Sequence, residues 1–109
     1  MIVRLADSSK VDIRIIQENL NDFNGSGTKF VDEITKNMKK LENNPEIGAS
    51  LQTKVEIITD FRYLVFPFTK KQIYIILYRI DKKAKVVYIN RVFDSRTNYL
   101  HIIFDDVVY

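Results

Sequence analysis

Arginine residues recur in the second half of the chain, within or just after segments that otherwise have the composition of β-strands. Arg62 and Arg91 lie inside runs of aromatic and branched residues, and Arg96 follows shortly after Phe93. An arginine within a strand costs burial free energy unless its guanidinium is ion-paired or hydrated. Because a guanidinium stays charged and binds phosphate oxygens bidentately, arginines grouped at one sheet edge would suit a phosphate ligand.

A polar cluster follows the last strong apolar run, in the stretch INRVFDSRTNYL at residues 89–100. Besides its two arginines it carries Asp94, Asn98 and Tyr99. The tyrosine could stack on a base or donate a proton to a phosphate. Such a cluster, at the point where a sheet ends, indicates that something is bound or positioned there.

The expected hairpins bring two of these arginines to a similar height. Arg62 falls opposite about Ile76 of the middle strand, and Arg91 falls opposite about Ile75. The two would then flank that strand about 10 Å apart, across two strand spacings. Their convergence depends on register, since a shift of one residue moves a side chain to the other face.

The alternative is that both arginines form structural ion pairs with nearby carboxylates. The candidate partners are Asp60 and Glu56 for Arg62, and Asp94 and Asp105 for Arg91. The tyrosines of the strands are expected to pack in the sheet and core rather than to stack on bases; they are Tyr63, Tyr74, Tyr78 and Tyr88.

Several other kinds of site are excluded or weakly supported. The chain has no cysteine, so neither a disulfide nor a thiolate metal site can form. The sole histidine, His101, cannot build a histidine metal cluster. Gly25-Ser26-Gly27 is too short for a phosphate-binding loop and lies between helices. No metal or other cofactor is therefore predicted.

Hydrophobic periodicity predicts the elements that position these groups. Residues 1–5 read as a strand, and Ser9 offers an N-cap for a first helix. Helical spacing of apolar residues predicts helices at about 9–22 and 28–42. Three later runs are typical of strands, at about 61–66, 72–80 and 86–93. The sequence predicts one α+β domain over residues 1–109, β-α-α-β-β-β, with a helical hairpin packed on a mainly antiparallel sheet.

Composition adds a modest electrostatic signal. Among 109 residues with net charge +3, residues 1–53 hold 7 basic and 8 acidic residues, and residues 54–109 hold 10 and 6. The sheet half could face a polyanion or an acidic protein, or could simply carry a lysine-rich solvated surface. No apolar run reaches the roughly 20 residues that cross a bilayer, and no signal peptide is evident. A cytoplasmic protein without membrane contact is expected.

Four stretches together resemble the RelE/ParE superfamily of bacterial toxins. They are NPEIG at 44–48, FRYLV at 61–65, ILYRI at 76–80 and the ending at 89–100, in the element order given above. The resemblance covers nearly the whole chain. It implies the toxin half of a type II toxin–antitoxin module, wrapped and inactivated by a cognate antitoxin. An exposed apolar groove between the sheet and the helical hairpin is the expected antitoxin seat.

The superfamily divides by target, and both branches stay open. RelE-like members enter the ribosomal A site and cleave mRNA without metal, whereas ParE-like members inhibit DNA gyrase and are not known as nucleases. By position, Arg62, Arg79 and Arg96 match arginines of the family pattern, and Lys54 is a candidate for the basic residue ahead of the sheet. Asp94 stands where many relatives have histidine, which removes an obvious general base.

Ribosome-dependent mRNA cleavage is the function expected first, by attack of a ribose 2′-hydroxyl on the neighbouring phosphate. The expected catalytic residues, for phosphorane stabilisation and proton transfer, are Arg62, Arg96, Tyr99 and Lys54. The expected substrate-binding residues are Arg79, Arg91, Asn98 and Asp94. In the alternative, the same basic edge docks on gyrase with no chemistry. A third possibility is an inactive relative that only binds antitoxin.

Overall fold

The fold is two helices packed on one face of a five-stranded sheet, in a computed structural model that describes residues 1–51 and 60–97. The elements are β1 (Ile2–Leu5), α1 (Asp7–Asn24), α2 (Gly27–Asn43), β2 (Ala49–Ser50), β3 (Arg62–Pro67), β4 (Ile73–Asp81) and β5 (Val86–Asp94). The α+β class and the β-α-α-β-β-β order are confirmed, with the two-residue strand β2 as an addition.

The sheet has the strand order β1-β5-β4-β3-β2. β1 runs parallel to β5, from Ile2 opposite Val86 to Leu5 opposite Ile89. The other neighbouring strands are antiparallel. β4 is therefore a central strand, which explains why it reads as a nearly continuous apolar run.

The ends of α1 follow from local backbone chemistry. The helix begins after Ala6, whose backbone is extended, and not after Ser9. The predicted Ser9 N-cap is wrong: this residue is fully buried in the first turn, and its hydroxyl donates to the Ala6 carbonyl at 2.7 Å. The helix ends where Gly25 takes a left-handed φ of 75° and donates to the carbonyls of Leu20 and Asn21.

The apolar positions of α1 do not all face the core. Leu20 is buried and Ile16 packs against the main cluster between helices and sheet. By contrast, Val11, Ile15 and Phe23 are 43%, 46% and 81% exposed. The apolar face predicted for this helix is wider than the sheet covers, so part of it is free to meet another molecule.

The observed sheet register shows that the predicted positions of Arg62 and Arg91 opposite β4 are wrong. Arg62 lies opposite Tyr78, not Ile76, and Arg91 lies opposite Leu77, not Ile75. Tyr78 belongs to the cluster beneath the helices, and Leu77 belongs to a second cluster on the other face. Since directly opposed residues share a face, the two arginines start from opposite faces of the sheet.

Candidate functional site

Arg62 is built into the support of a loop. Its Nη2 donates to the carbonyl of Glu46 at 3.0 Å and also to the carbonyl of Gly48. Its Nε is buried and has no hydrogen-bond partner within the described residues. Main-chain oxygens of the loop before β2 therefore bind this guanidinium, whereas of the expected partners Asp60 makes no hydrogen bond or ion pair with it within the described residues and Glu56 lies outside them. In these contacts the Arg62 guanidinium stabilises the loop before β2.

Tyr78 also binds the loop before β2, through its side-chain hydroxyl. Its ring is fully buried. The hydroxyl donates a hydrogen bond to the Pro45 carbonyl at 2.7 Å and accepts one from the Gly48 N–H at 2.9 Å. A Cβ on Gly48 would lie 2.5 Å from the Tyr78 hydroxyl and 2.6 Å from the Tyr63 carbonyl oxygen. Glycine is therefore required here for a close approach, which gives a physical reason for the last residue of the NPEIG stretch.

Arg91 binds a helix instead of a neighbouring loop. Its Nε and Nη2 lie 2.8 and 3.1 Å from the two carboxylate oxygens of Asp12 on α1. The same carboxylate accepts the Val92 N–H at 2.9 Å. The side chains are 23% and 13% exposed, so the bidentate pair is largely shielded from water. Of the expected partners, Asp94 pairs with Arg96, and Asp105 lies outside the described residues.

One edge of β5 is thereby closed by α1. Beyond Leu5 the parallel partner β1 ends, and main-chain groups of β5 face the helix. Ser8 donates its hydroxyl to the Asn90 carbonyl at 2.9 Å, while Asp12 accepts from Val92. These two α1 residues are four apart, so they lie on one side of the helix. They replace a strand at an otherwise unpaired edge.

Asp94 and Arg96 form an ion pair at the end of β5. Arg96 Nη2 and Nε lie 2.9 and 3.1 Å from the carboxylate oxygens, and the Arg96 N–H adds a bond at 2.8 Å. The hydrogen bond from the guanidinium is the main reason why the pKa of Asp94 lies below its ordinary value. Burial, followed by the nearby Asp94 carboxylate, raises the pKa of Tyr74. Asp94 is thus held as an anion and is a poor proton donor at neutral pH.

A groove runs beside α1 and passes this ion pair. One depression of about 260 Å³ is lined by residues that include Ile16, Phe23 and Asp94. A second, of about 270 Å³, lies between Ile15 and β5 and shares Ile16 and Asp94 with the first. We call the two depressions, with exposed Ile15 and Phe23 in their linings, the α1 groove. It lies between the sheet and α1, and its use as an antitoxin seat stays a prediction.

Within the described ranges the structure brings three of the predicted site residues together, since Arg91 and Asp94 line one depression and Arg96 pairs with Asp94. It leaves Arg62 and Arg79 elsewhere. Arg79 lies on the face opposite the helices, where its guanidinium stacks 4.7 Å from the centre of the Tyr88 ring. Arg62, Arg91 and Arg96 each make separate contacts. The remaining predicted residues fall outside the described ranges; they are Lys54, Asn98 and Tyr99.

Sequence reasoning missed the residues that engage these arginines. Asp12 was one of several acidic residues on a helix, and it lies 79 positions from Arg91, so no spacing signal connects them. Tyr78 was expected only to pack. Phe23 fitted the periodicity of a core residue although it is 81% exposed. Only the position of Phe23 at the extreme end of the helical pattern hinted at exposure.

Within residues 1–51 and 60–97, no group of three or more potential metal-binding His, Cys, Asp or Glu side chains comes together. None of the helices in that part of the chain is both long and apolar enough to span a membrane.

Comparison with solved structures shows where this fold has been seen before. A solved chain from the chromosomal ParDE toxin–antitoxin system of P. aeruginosa is similar, with a TM-score of 0.66 and 18% identity over 86% of this chain and 95% of that chain. At this identity the likeness shows the fold alone. No curated protein matches.

The family itself follows from the sequence. The family model described as the ParE toxin of the type II toxin–antitoxin system, parDE, matches residues 3–99. The chain therefore belongs to the ParE toxin family, and the expected RelE/ParE resemblance is confirmed. Membership implies a cognate antitoxin as partner.

Proposed function

We propose that this ParE-type toxin blocks growth by binding DNA gyrase, without catalysing a reaction. The observation that carries the proposal is the fate of the three arginines that an mRNA-cleaving site would need. Arg62 supports a loop, Arg91 clamps α1 to the sheet, and Arg96 is paired with Asp94. Arg62 lies on β3 and Arg91 on β5, with β4 between them, and the two guanidinium groups bind different parts of the molecule. Phosphorane stabilisation needs donors converging on one oxygen cluster, and these three do not converge.

The family supports the same choice, because the superfamily branch that the chain matches is the ParE branch. Cleavage of mRNA was the function first expected. Without these arginines, Tyr99 and Lys54 would have to stabilise the negative charge of the phosphorane and also transfer the protons. A cytoplasmic location, where gyrase acts, stays a prediction.

The test is a pair of assays on the same purified protein. DNA gyrase supercoiling is measured with increasing toxin, and mRNA 5′ ends are mapped by primer extension after addition to a bacterial cell-free translation reaction. We expect supercoiling to fall while mRNA stays intact. New ribosome-dependent cuts within translated codons, with supercoiling unchanged, would overturn the proposal in favour of mRNA cleavage.

A matched pair of variants sharpens this test. Arg96→Ala removes the most exposed of the three arginines, and Lys82→Ala removes a similarly exposed cation from an ion pair elsewhere; their side chains are 69% and 78% exposed. If Arg96 serves catalysis, only the first variant should lose mRNA cleavage. If neither assay responds to the wild type, the protein is a relative that only binds antitoxin.

A further inference from the structure

The sheet face opposite the helices carries a row of three side chains that the proposed function does not use. Arg4 of β1 lies directly opposite Tyr88 of β5, and Tyr88 lies directly opposite Arg79 of β4. The neighbouring triplet Leu5, Ile89 and Tyr78 packs beneath the helices, so strand alternation puts the row on the other face. We call it the Arg-Tyr-Arg row. Its two arginines are about 10 Å apart, across two strand spacings.

The contacts of the row leave charge available for a ligand. Arg79 stacks on one side of the Tyr88 ring, which fixes the guanidinium but satisfies none of its five donors. Arg4 is exposed and makes no ion pair within residues 1–51 and 60–97. Beside it, a depression of about 540 Å³ is lined by residues that include Tyr88 and Lys10.

Further cations extend the row along the sheet. Lys83 and Lys85 lie in the turn that joins β4 to β5, beyond Arg79, and both are exposed and unpaired within the described ranges. Two carboxylates lie nearby. Asp7 lines the same depression, and Asp81 accepts a hydrogen bond from the Ala84 N–H at 3.0 Å. At this end of the molecule, five cations without an ion pair in the described ranges lie near two carboxylates, while Lys82 of the same turn pairs with Glu46.

We propose that this surface binds the sugar-phosphate backbone of duplex DNA. Phosphate contacts need cations spread over several sites and no apolar anchor. The lysines around the row favour the same ligand, because lysine is depleted at protein interfaces, where arginine and tyrosine are instead enriched. The choice of duplex DNA rests on the proposed function, since gyrase acts on duplex DNA and a bound inhibitor would lie near it. The surface faces away from the α1 groove, so one molecule could use both.

The proposal is tested by fluorescence anisotropy with a short labelled duplex of arbitrary sequence, titrated with the full-length protein at several salt concentrations. The test variant is Arg4→Gln with Arg79→Gln. Its matched control is Arg14→Gln with Lys39→Gln, which makes the same change in net charge at exposed helix positions. Each phosphate contact contributes about 0.9 to the slope of log affinity against log salt concentration. We expect the test variant to lose about 1.8 of that slope and the control to keep it.

A second variant, which keeps the contact between Arg79 and Tyr88, is available if the first variant does not fold. If circular dichroism shows the first variant to be unfolded, Arg4→Gln with Lys83→Gln makes the same measurement and should give the same loss. Equal slopes for test and control variants, or no salt-dependent binding by the wild type, would overturn the proposal. So would displacement of the duplex by polyglutamate at an equal concentration of charge, because the partner would then be an acidic protein. A wild type that inhibits supercoiling without binding the duplex would sink this inference alone and leave the proposed function intact.

Discussion

Asp94 and Arg96 form an ion pair whose effect on acidity can be measured directly. The guanidinium lowers the pKa of the folded Asp94 carboxyl. A lowered folded pKa stabilises the protein above the ordinary Asp value of about 3.9, and that stability is lost as the pH falls through the folded pKa. Arg96→Ala should therefore raise the pKa of Asp94 in an NMR titration, and Arg14→Ala should leave it unchanged. An unchanged titration in the first variant would mean that the pair is broken in solution.

Arg62 has the position of a catalytic family arginine but the contacts of a structural one. Its guanidinium holds two main-chain carbonyls, so Arg62→Ala should lower the free energy of unfolding by about 1–3 kcal/mol. Lys82→Ala breaks only an exposed ion pair at 3.7 Å and should cost below about 1 kcal/mol. Urea denaturation measures both values. A variant as stable as the wild type would assign Arg62 a role in the target complex instead.

At the scale of elements, the attachment of α1 to the edge of β5 depends on Asp12. Asp12→Ala leaves the Arg91 guanidinium without its bidentate partner and the Val92 N–H without an acceptor. We expect a loss of about 3 kcal/mol, the lower end of the cost of breaking a buried pair. Hydrogen exchange of the Val92 amide should accelerate more than that of β4 amides.

The control is Lys36→Ala, which breaks an exposed pair with Glu33 inside α2 and should cost about 0.5 kcal/mol or less. Equal losses for the two variants would mean that α1 is held to the sheet by apolar packing alone.

At the scale of the whole molecule, the α1 groove is the proposed seat of the antitoxin. Ile15→Glu places a carboxylate on the exposed apolar part of α1 and should weaken antitoxin binding at least tenfold by isothermal titration calorimetry, because burial of an unpaired charge is strongly unfavourable. Val65→Glu is the matched control, since Val65 is 47% exposed against 46% for Ile15 and lies on the other face of the sheet. Greater loss in the control would move the seat to that face.

The sequence was sufficient for what is locally determined and insufficient for what depends on tertiary contacts. Sequence patterns predicted both helices and four of the strands within a few residues, because apolar spacing reflects which side faces the core. The β4–β5 register was not predictable in this way. Leu77 pairs with Arg91 and Tyr78 with Ile89, so Asn90 is an extra residue that bulges. The bulge occurs where Ser8 and Asp12 bind β5, and no local pattern records those contacts.

The candidate site shows the same division. The sequence left structural ion pairing of Arg62 and Arg91 open as an alternative to a phosphate site, and for that alternative it offered carboxylates from the same half of the chain. Carboxylates and carbonyls brought close by folding are equally good acceptors, so Arg91 binds Asp12 and Arg62 binds Gly48. Arg96 and Asp94 are two residues apart, so theirs is a pair that sequence proximity could have indicated, although Asp94 was expected to pair with Arg91.

Because β1 pairs in parallel with β5, the two strands can form their ladder only after both have been translated. Ile2 meets Val86, so the first strand waits for the last described strand before its ladder can form. Closing so long a loop is slow compared with forming the helical hairpin, which is complete by Asn43. In a nascent chain the sheet therefore stays incomplete until β5 has been translated. Any surface that needs the finished sheet, the Arg-Tyr-Arg row included, forms only after that point, so an antitoxin already present can meet the hairpin first.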